Sequence, residues 1–260
     1  MSHKNSAISF IIVNYNSIDS LKHCLDDLAT IENANDFEVI IINNESRPIS
    51  LPPHSFRRQQ IYEVGHNIGY GKASNIGLKI ATHPYVCFLN PDTHSFCNDL
   101  AKITKMITHE KMIVAPQIRT ESNEREPWSV GEDVNLMQII KNNCGINKKM
   151  WLSDKNTKVA WASGAALFAQ TQFIKHLGGF DEDFFLYFED VDLCKRARNM
   201  GGEIYYIPRF FLTHTRGIST KNSIQKQKKW YYKSQDLFFQ KHVGAMQARI
   251  MRTLRSISIK

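Results

Sequence analysis

Short apolar runs rich in β-branched residues alternate with helix-period segments through the first half of the chain. This is the pattern of βαβ units around a mainly parallel sheet. Strands are predicted over 8–13, 37–42, 60–64, 85–89 and 113–118. Ile18, Leu21, Leu25 and Leu28 recur on one helical face, with Ser17 or Asn16 positioned to cap that helix. Further helices are predicted over 72–81, with Ala73, Ile76 and Ile80 on one face, and over 98–109. From Arg119 to Val159 the pattern turns polar and aperiodic, apart from a short helical stretch over 134–141, so the segment reads as an insertion or mobile loop. An apolar run over 160–169 follows, then a turn at Gly178 and Gly179, a helix over 189–200 closed by Gly201 and Gly202, and a strand over 203–208.

The C-terminal segment has a different character. Val243, Met246, Ile250, Leu254 and Ile257 fall within one narrow arc of a helix, with Arg249, Arg252 and Arg255 opposite. Residues 221–260 hold ten of the 33 Lys and Arg residues against one of the 25 acids, a net of +9, which leaves −1 for the first 220. A near-neutral body therefore carries a basic amphipathic tail, suited to an anionic surface. Lipid fits better than nucleic acid, because no zinc or RNA-binding motif accompanies the charge.

Length and composition bound the rest. With 260 residues, 42% of them hydrophobic, the chain buries a real core without needing metal or disulfide. No apolar run approaches the roughly 18 residues of a spanning helix. The start of the chain carries no apolar leader, and Cys24, Cys87, Cys97, Cys144 and Cys194 are odd in number without CxxC spacing. A reducing, cytoplasmic setting is the expectation.

In an open parallel sheet, ligands bind beyond the carboxyl ends of the strands. Those ends are unusually polar here: Asn14, Tyr15 and Asn16; Asn43, Asn44, Glu45 and Ser46; Gly65, His66, Asn67 and Gly69; Asn90, Pro91 and Asp92. Turn chemistry accounts for any one of them. Four in succession point to a ligand with many hydrogen-bonding edges, with Tyr15 as a stacking face. Asp92 would be a carboxylate fixed at a strand terminus, where Mg²⁺ or Mn²⁺ bridging a nucleoside diphosphate could bind, and His214 is a candidate second metal ligand. Six carboxylates crowd residues 181–192, and the aromatic run 184–188 precedes Glu189 and Asp190. Burial of that run would carry the two acids into a pocket, where an ionised carboxylate at a helix N-terminus suits a general base.

Taken together, FIIVNYNS (10–17), IINNES (41–46), GHNIGYGKASNIG (65–77), FLNPDT (88–93), ASGAALF (162–168) and GGFDEDFFLYFEDVDLCKRA (178–197) resemble the family 2 glycosyltransferases. The resemblance is to the rhamnosyltransferase-like branch that builds bacterial surface polysaccharides, and it spans residues 8–216. It implies a GT-A α/β fold, an inverting transfer and a nucleotide-sugar donor, dTDP-L-rhamnose before UDP-galactose, UDP-galactofuranose or an amino sugar. It assigns nucleotide binding to Asn14, Tyr15, Asn16, Asn43, Asn44, Asn67, Gly69, Asn75, Asn90 and Asp92, and metal binding to Asp92 and His214. It assigns catalysis to Asp190 with Glu189 beside it, and acceptor binding to Gly164, Asp181 and Tyr187. Two positions depart from the family pattern: Asn43 stands where Asp usually precedes Asn, and Asn90 opens the DxD position.

The domain so implied covers residues 1–220: a nucleotide-binding half over 1–118, the polar insertion over 119–159, and an acceptor and catalytic half over 160–220. The tail over 221–260 would hold the enzyme at the inner face of the cytoplasmic membrane beside a lipid-linked saccharide acceptor, pack on the domain, or pair two copies as a homodimer. A nucleotidyltransferase is the alternative enzyme class. It would need a Gly-rich, basic loop after strand one, and residues 14–17 contain neither Gly nor Lys nor Arg.

Overall fold

All seven side chains of the strand Ile8–Asn14 are buried, as a central strand covered on both faces requires. A computed structural model describes residues 7–146, 148–215 and 224–258. In chain order the elements are β1 (Ile8–Asn14), α1 (Ile18–Leu28), β2 (Glu38–Asn43), β3 (Arg58–Glu63), α2 (Tyr70–Ile80), β4 (Tyr85–Leu89), β5 (Thr93–His94) and β6 (Met112–Arg119). There follow β7 (Val130–Gly131), α3 (Leu136–Asn143), β8 (Thr157–Val159), β9 (Trp161–Ala162), β10 (Ala166–Gln170) and α4 (Thr171–His176). The last are α5 (Glu189–Asn199), β11 (Glu203–His214), α6 (Ile224–His242) and α7 (Ala245–Ser258).

The main sheet runs β3-β2-β1-β4-β10-β6-β11-β5, with β8 on the other edge of β11. β1 to β4 pair in parallel, as the alternation of runs and helices predicts. β10 is antiparallel to both β4 and β6, so the apolar run near 160–169 reverses the sheet direction at its centre. One core packs α1 and the 3₁₀ turn Leu100–Met106 against one face of the sheet. A second packs α2, α4 and α5 against the other.

Several expectations change in detail. The helix predicted over 98–109 is a 3₁₀ segment, Leu100–Met106. Ser17 stands at the start of α1 but makes no capping bond, because its hydroxyl donates to Asn14 Oδ1 at 3.0 Å. Ile80 is 36% exposed, and α2 instead buries Ala73, Ser74, Gly77 and Leu78. The strand predicted over 203–208 continues to His214 after an irregularity between Ile207 and Phe211, which carries His214 alongside Asp92. Gly201 ends α5 with φ 78°, and its neighbour Gly202 donates to Ala197 O at 2.9 Å.

The segment over 119–159, expected as an insertion or mobile loop with a helical stretch over 134–141, has that helix as α3 and adds β7 and β8, burying Val130 and Trp151. The C-terminal helices fold back on the domain. Phe238, Phe239, Ala248 and Met251 join Phe184 and Phe188 in a third core. The tail's expected apolar arc is therefore not its packing face: α7 buries Ala248 and Met251, while Met246 is 74% and Ile250 39% exposed. Arg252 and Arg255 both pair with Asp236. The side chain of Ile257 lies outside the described residues. Among those residues all five cysteines are free thiols, and no helix is long and apolar enough to cross a membrane.

Candidate active site

The carboxyl ends of β1, β2 and β4, the loop before α5 and the segment 126–131 enclose one cleft of about 1400 Å³. Tyr15, Asn16, Asn44, Asn67 and Gly69, the residues expected to bind nucleotide, line it on the strand-terminus side. Asn44 is the organiser: its Nδ2 donates to Asn67 Oδ1 at 3.1 Å, and its Oδ1 accepts from Ile68 N–H at 2.9 Å. Gly69 has φ 91°, and a Cβ there would lie 2.7 Å from Phe185 O, so glycine lets α2 start against the loop that leads to α5.

Three residues expected to touch nucleotide do not line the cleft. Asn14 is fully buried and donates to Asn43 Oδ1 at 2.8 Å and Glu45 Oε1 at 2.9 Å. Asn43 donates to Glu63 Oε2 at 2.5 Å and Arg47 O at 2.8 Å. Asn75 exchanges hydrogen bonds with the backbone of Phe180 at 2.8 and 2.9 Å. Their amides are spent on neighbouring loops, so they shape the wall from behind.

Asn90 and Asp92 follow β4, and His214 reaches them from the end of β11. His214 Nε2 lies 3.1 Å from Asp92 Oδ1 and 3.4 Å from Asn90 Nδ2, while Nδ1 lies 3.0 Å from Glu126 Oε2. Asp92 and Glu126 are 8% and 4% exposed, so this triad is largely shielded from water. Burial alone would lower the imidazole pKa; hydrogen bonds and charge from the two carboxylates outweigh it and raise it to about 9. His214 is thus held between two carboxylates, one ring nitrogen on each, beside the cleft-lining Asp92. Glu126 escaped the sequence reading because a single acid in an aperiodic polar stretch carries no pattern.

No group of three His, Cys, Asp or Glu side chains among the described residues is arranged to hold a metal by itself. The donor set fits an ion that takes most of its ligands from diphosphate and water. Asp92 offers one hard carboxylate oxygen at the cleft, with Asn90 and His214 adjacent.

The opposite wall carries Glu189 and Asp190 in the first turn of α5. Tyr187 and Phe188 immediately before it have φ 69° and 66°, unfavourable for aromatic residues and characteristic of backbone held in place for function. Phe184 and Phe188 are buried, as the aromatic run suggests, and they anchor this turn against Phe238 of α6. Asp190 Oδ2 accepts from Gly164 N–H at 2.8 Å, and its Oδ1 from Val191 N–H at 2.8 Å. Gly164 belongs to the cleft through this bond, and its carbonyl receives Tyr70 Oη at 3.2 Å. Burial raises the Asp190 pKa, opposed by those backbone donors. Glu189 is raised further, to about 8, by burial and then by the charge on Asp190. Its Oε2 meets no hydrogen-bond partner among the described residues. The two carboxyl groups titrate as a pair: burial pushes both upward, and Asp190 has the Gly164 and Val191 backbone donors on its carboxylate to favour the charged form.

Tyr187 lines the cleft, but Asp181 does not. Lys241 of α6 holds Asp181 at 2.5 Å and Asp183 at 2.7 Å, so the expected acceptor contact at Asp181 is replaced by an anchor for the tail. In exchange α6 supplies Trp230, Tyr231, Lys229 and Lys233 to the rim, a contribution hidden in sequence by its basic composition. Trp230 stacks on Phe185 with ring centroids 4.3 Å apart.

Polar strand termini, a shielded Asp92–His214–Glu126 triad and a paired-acid wall around one cleft fit a GT-A sugar-nucleotide transferase. Solved structures share this fold. The mannosyltransferase PcManGT from Pyrobaculum calidifontis, in complex with GDP-Man and Mn²⁺, superposes with TM-score 0.60 at 15% identity over 91% of this chain and 64% of its own. S. aureus TarS (1–349) does so with TM-score 0.57 at 16% identity over 88% and 63%. The model of the family "Glycosyl transferase family 2" matches residues 9–173, and the chain belongs to that family. Its relatives include rhamnosyltransferase WbbL of Escherichia coli (strain K12), 26% identical over 87% of this chain and 90% of WbbL. The dTDP-rhamnosyl transferase RfbF of Shigella flexneri is 21% identical over 82% of this chain and 70% of its own. An N-acetylglucosaminyl-diphospho-decaprenol L-rhamnosyltransferase of Mycobacterium tuberculosis is 32% identical over 40% of this chain and 34% of its own.

Proposed function

We propose that the chain is an inverting rhamnosyltransferase that moves L-rhamnose from dTDP-L-rhamnose to a lipid-linked saccharide in the synthesis of a bacterial surface polysaccharide such as an O-antigen. The observation that carries the reading is that Asp92 and Asp190, distant in sequence, line one cleft, one beside His214 and the other beside backbone donors. The names of the relatives supply the sugar, and that of the mycobacterial relative supplies an acceptor chemistry, an N-acetylglucosaminyl diphosphate on a polyprenol.

In this reading Asp190 takes the proton of an acceptor hydroxyl as that oxygen attacks the anomeric carbon, opposite the leaving diphosphate. One C–O bond forms while the other breaks, which inverts the configuration. Asn44, Asn67 and Tyr15 hold the nucleoside, and Asp92 with His214 beside it receives the diphosphate end. A Mg²⁺ or Mn²⁺ ion, held by Asp92 with His214 beside it, would add further charge stabilisation at the diphosphate.

Thermal-shift titrations of dTDP, UDP, GDP and CMP, with and without Mn²⁺, test donor and metal together. dTDP with Mn²⁺ is expected to give the largest rise in Tm, and Asp92→Ala to lose the Mn²⁺-dependent part of that rise. A UDP response exceeding that of dTDP would transfer the reading to a galactose, galactofuranose or amino-sugar donor. An Asp92→Ala response equal to the unaltered protein's would remove Asp92 as the metal ligand.

The tail supports a place at an anionic bilayer. Met246 and Ile250 face outward with Arg249 exposed beside them, and basic residues near such a surface contribute roughly 1 kcal/mol each. A double variant, Met246→Glu with Ile250→Glu, should therefore lose co-sedimentation with phosphatidylglycerol vesicles while keeping its Tm. Undiminished sedimentation would take α7 out of that role.

A further inference from the structure

Trp128 packs on one side only. It lies in the left-handed region at φ 62°, rare for a bulky side chain, yet it is 44% exposed and lines the cleft. A large aromatic held in an unfavourable backbone state and left facing a cavity is presented rather than buried. Its support is rigid. The indole rests against Trp151 with ring centroids 4.8 Å apart, and Trp151 is 6% exposed with its carbonyl receiving Tyr206 Oη at 3.1 Å.

The loop that carries Trp128 is tied at both ends to opposite sides of the chemistry. On one side Glu126 meets His214, which meets Asp92, the leaving-group end. On the other, Ser129 O accepts from Ser163 N–H at 2.8 Å, and the next residue, Gly164, donates to Asp190. Trp128 thus occupies the stretch of wall between the Asp92–His214 pair and Asp190, the region the attacking sugar must enter. The nucleotide end has its own aromatic, Tyr15.

We infer that Trp128 is the stacking platform for the acceptor sugar, a hexose ring laying its C–H face on the indole. The chemistry suits the ligand: the face of an aromatic ring is electron-rich, and the axial C–H bonds of a pyranose present the complementary positive edge. The inference rests on the glycosyl transfer proposed above and adds to it the group that orients the nucleophile. It also gives the 119–159 segment a task in acceptor choice.

Two measurements on the full chain test it, with Trp128→Ala and Trp128→Phe beside the unaltered protein. The first is saturation-transfer NMR with octyl β-N-acetylglucosaminide in the presence of dTDP. Ring-proton signals are expected for the unaltered protein and the Phe variant, and lost in the Ala variant. The second is transfer from dTDP-L-rhamnose to a synthetic N-acetylglucosaminyl diphospho-lipid. Here Trp128→Ala should raise the acceptor KM about tenfold, while Trp128→Phe stays nearer the unaltered value, and the Kd for dTDP is the same in all three. An unchanged KM and sugar signal in Trp128→Ala overturns the platform, as does a weakened dTDP affinity, which would reassign the indole to the donor. Absence of any sugar signal from the unaltered protein overturns it too. If the unaltered protein transfers no rhamnose while its sugar signal is lost in Trp128→Ala, the donor reading fails and the platform stands.

Discussion

Asp190→Asn should lower kcat by about 10²- to 10⁴-fold, the usual worth of a general base, while dTDP binds as before. The two responses separate because Asp190 lies on the α5 wall, whereas the nucleotide end is built from the strand termini. Asp190 accepts backbone N–H groups on both oxygens, from Gly164 and Val191, and the amide can replace only one, so an unchanged dTDP affinity and Tm are the controls by which the loss reports chemistry. Glu189→Gln should do far less, because burial and the Asp190 charge already keep that carboxyl neutral up to about pH 8. The pH profile follows with a definite sign. Asp190 has a raised pKa, so the base is protonated and transfer is lost as pH falls, at a midpoint above the ordinary aspartate range. Any rate change centred near pH 8 belongs to Glu189 and should vanish in Glu189→Gln. A full-rate Asp190→Asn enzyme would end the base assignment, and an acid limb at the ordinary aspartate position would contradict the buried environment.

Much of this site was legible because it lies where periodic elements end. β1, β2 and β4 are continuous apolar runs, so their polar termini stand out, and each delivers cleft residues: Tyr15, Asn44 and Asp92. Pattern cannot say which polar side chain faces the ligand and which faces protein. Asn14, Asn43 and Asn75 have the same donor and acceptor groups as Asn44 and Asn67, yet they close internal networks: Asn14 and Asn43 because adjacent residues at a strand end point to opposite sides, and Asn75 because it stands within α2 and bonds the Phe180 backbone. Most of the segment 119–159 was illegible for another reason. Its helix shows in the pattern over 134–141, but its short strands are held by distant contacts, such as Tyr206 with the Trp151 carbonyl and Glu126 with His214, which leave no local periodicity. The resemblance to family 2 glycosyltransferases recovered the motif residues but was silent on the insertion, where Glu126 and Trp128 lie. The tail misled in a similar way: its most regular apolar arc faces outward, and the packing is done by Ala248, Met251, Phe238 and Phe239.

That packing makes the tail part of the active site, and Asp192 is where the two are locked. The residue is fully buried; Arg196 Nε donates to its Oδ2 at 2.7 Å, and His242 Nε2 of α6 lies 2.6 Å from its Oδ1. Arg196 also donates to Leu177 O at 2.9 Å and Gly179 O at 2.7 Å, fixing the turn from which the loop before α5 departs. Asp192→Ala removes the only carboxylate in this arrangement and strands the guanidinium, which is 24% exposed, among carbonyls. Breaking a buried pair this way costs about 3–5 kcal/mol, and the partial exposure of Arg196 puts the expectation at the lower end of that range. The urea midpoint should fall accordingly with the m-value unchanged. His242→Ala should cost less, because Asp192 keeps its Arg196 partner. Both variants should also lower kcat under conditions where they remain folded, since α5 carries Asp190 two residues away, while dTDP affinity is retained. A loss below about 1 kcal/mol in Asp192→Ala would show that the clasp is replaced by water, and the tail would then be a neighbour of the site instead of its support.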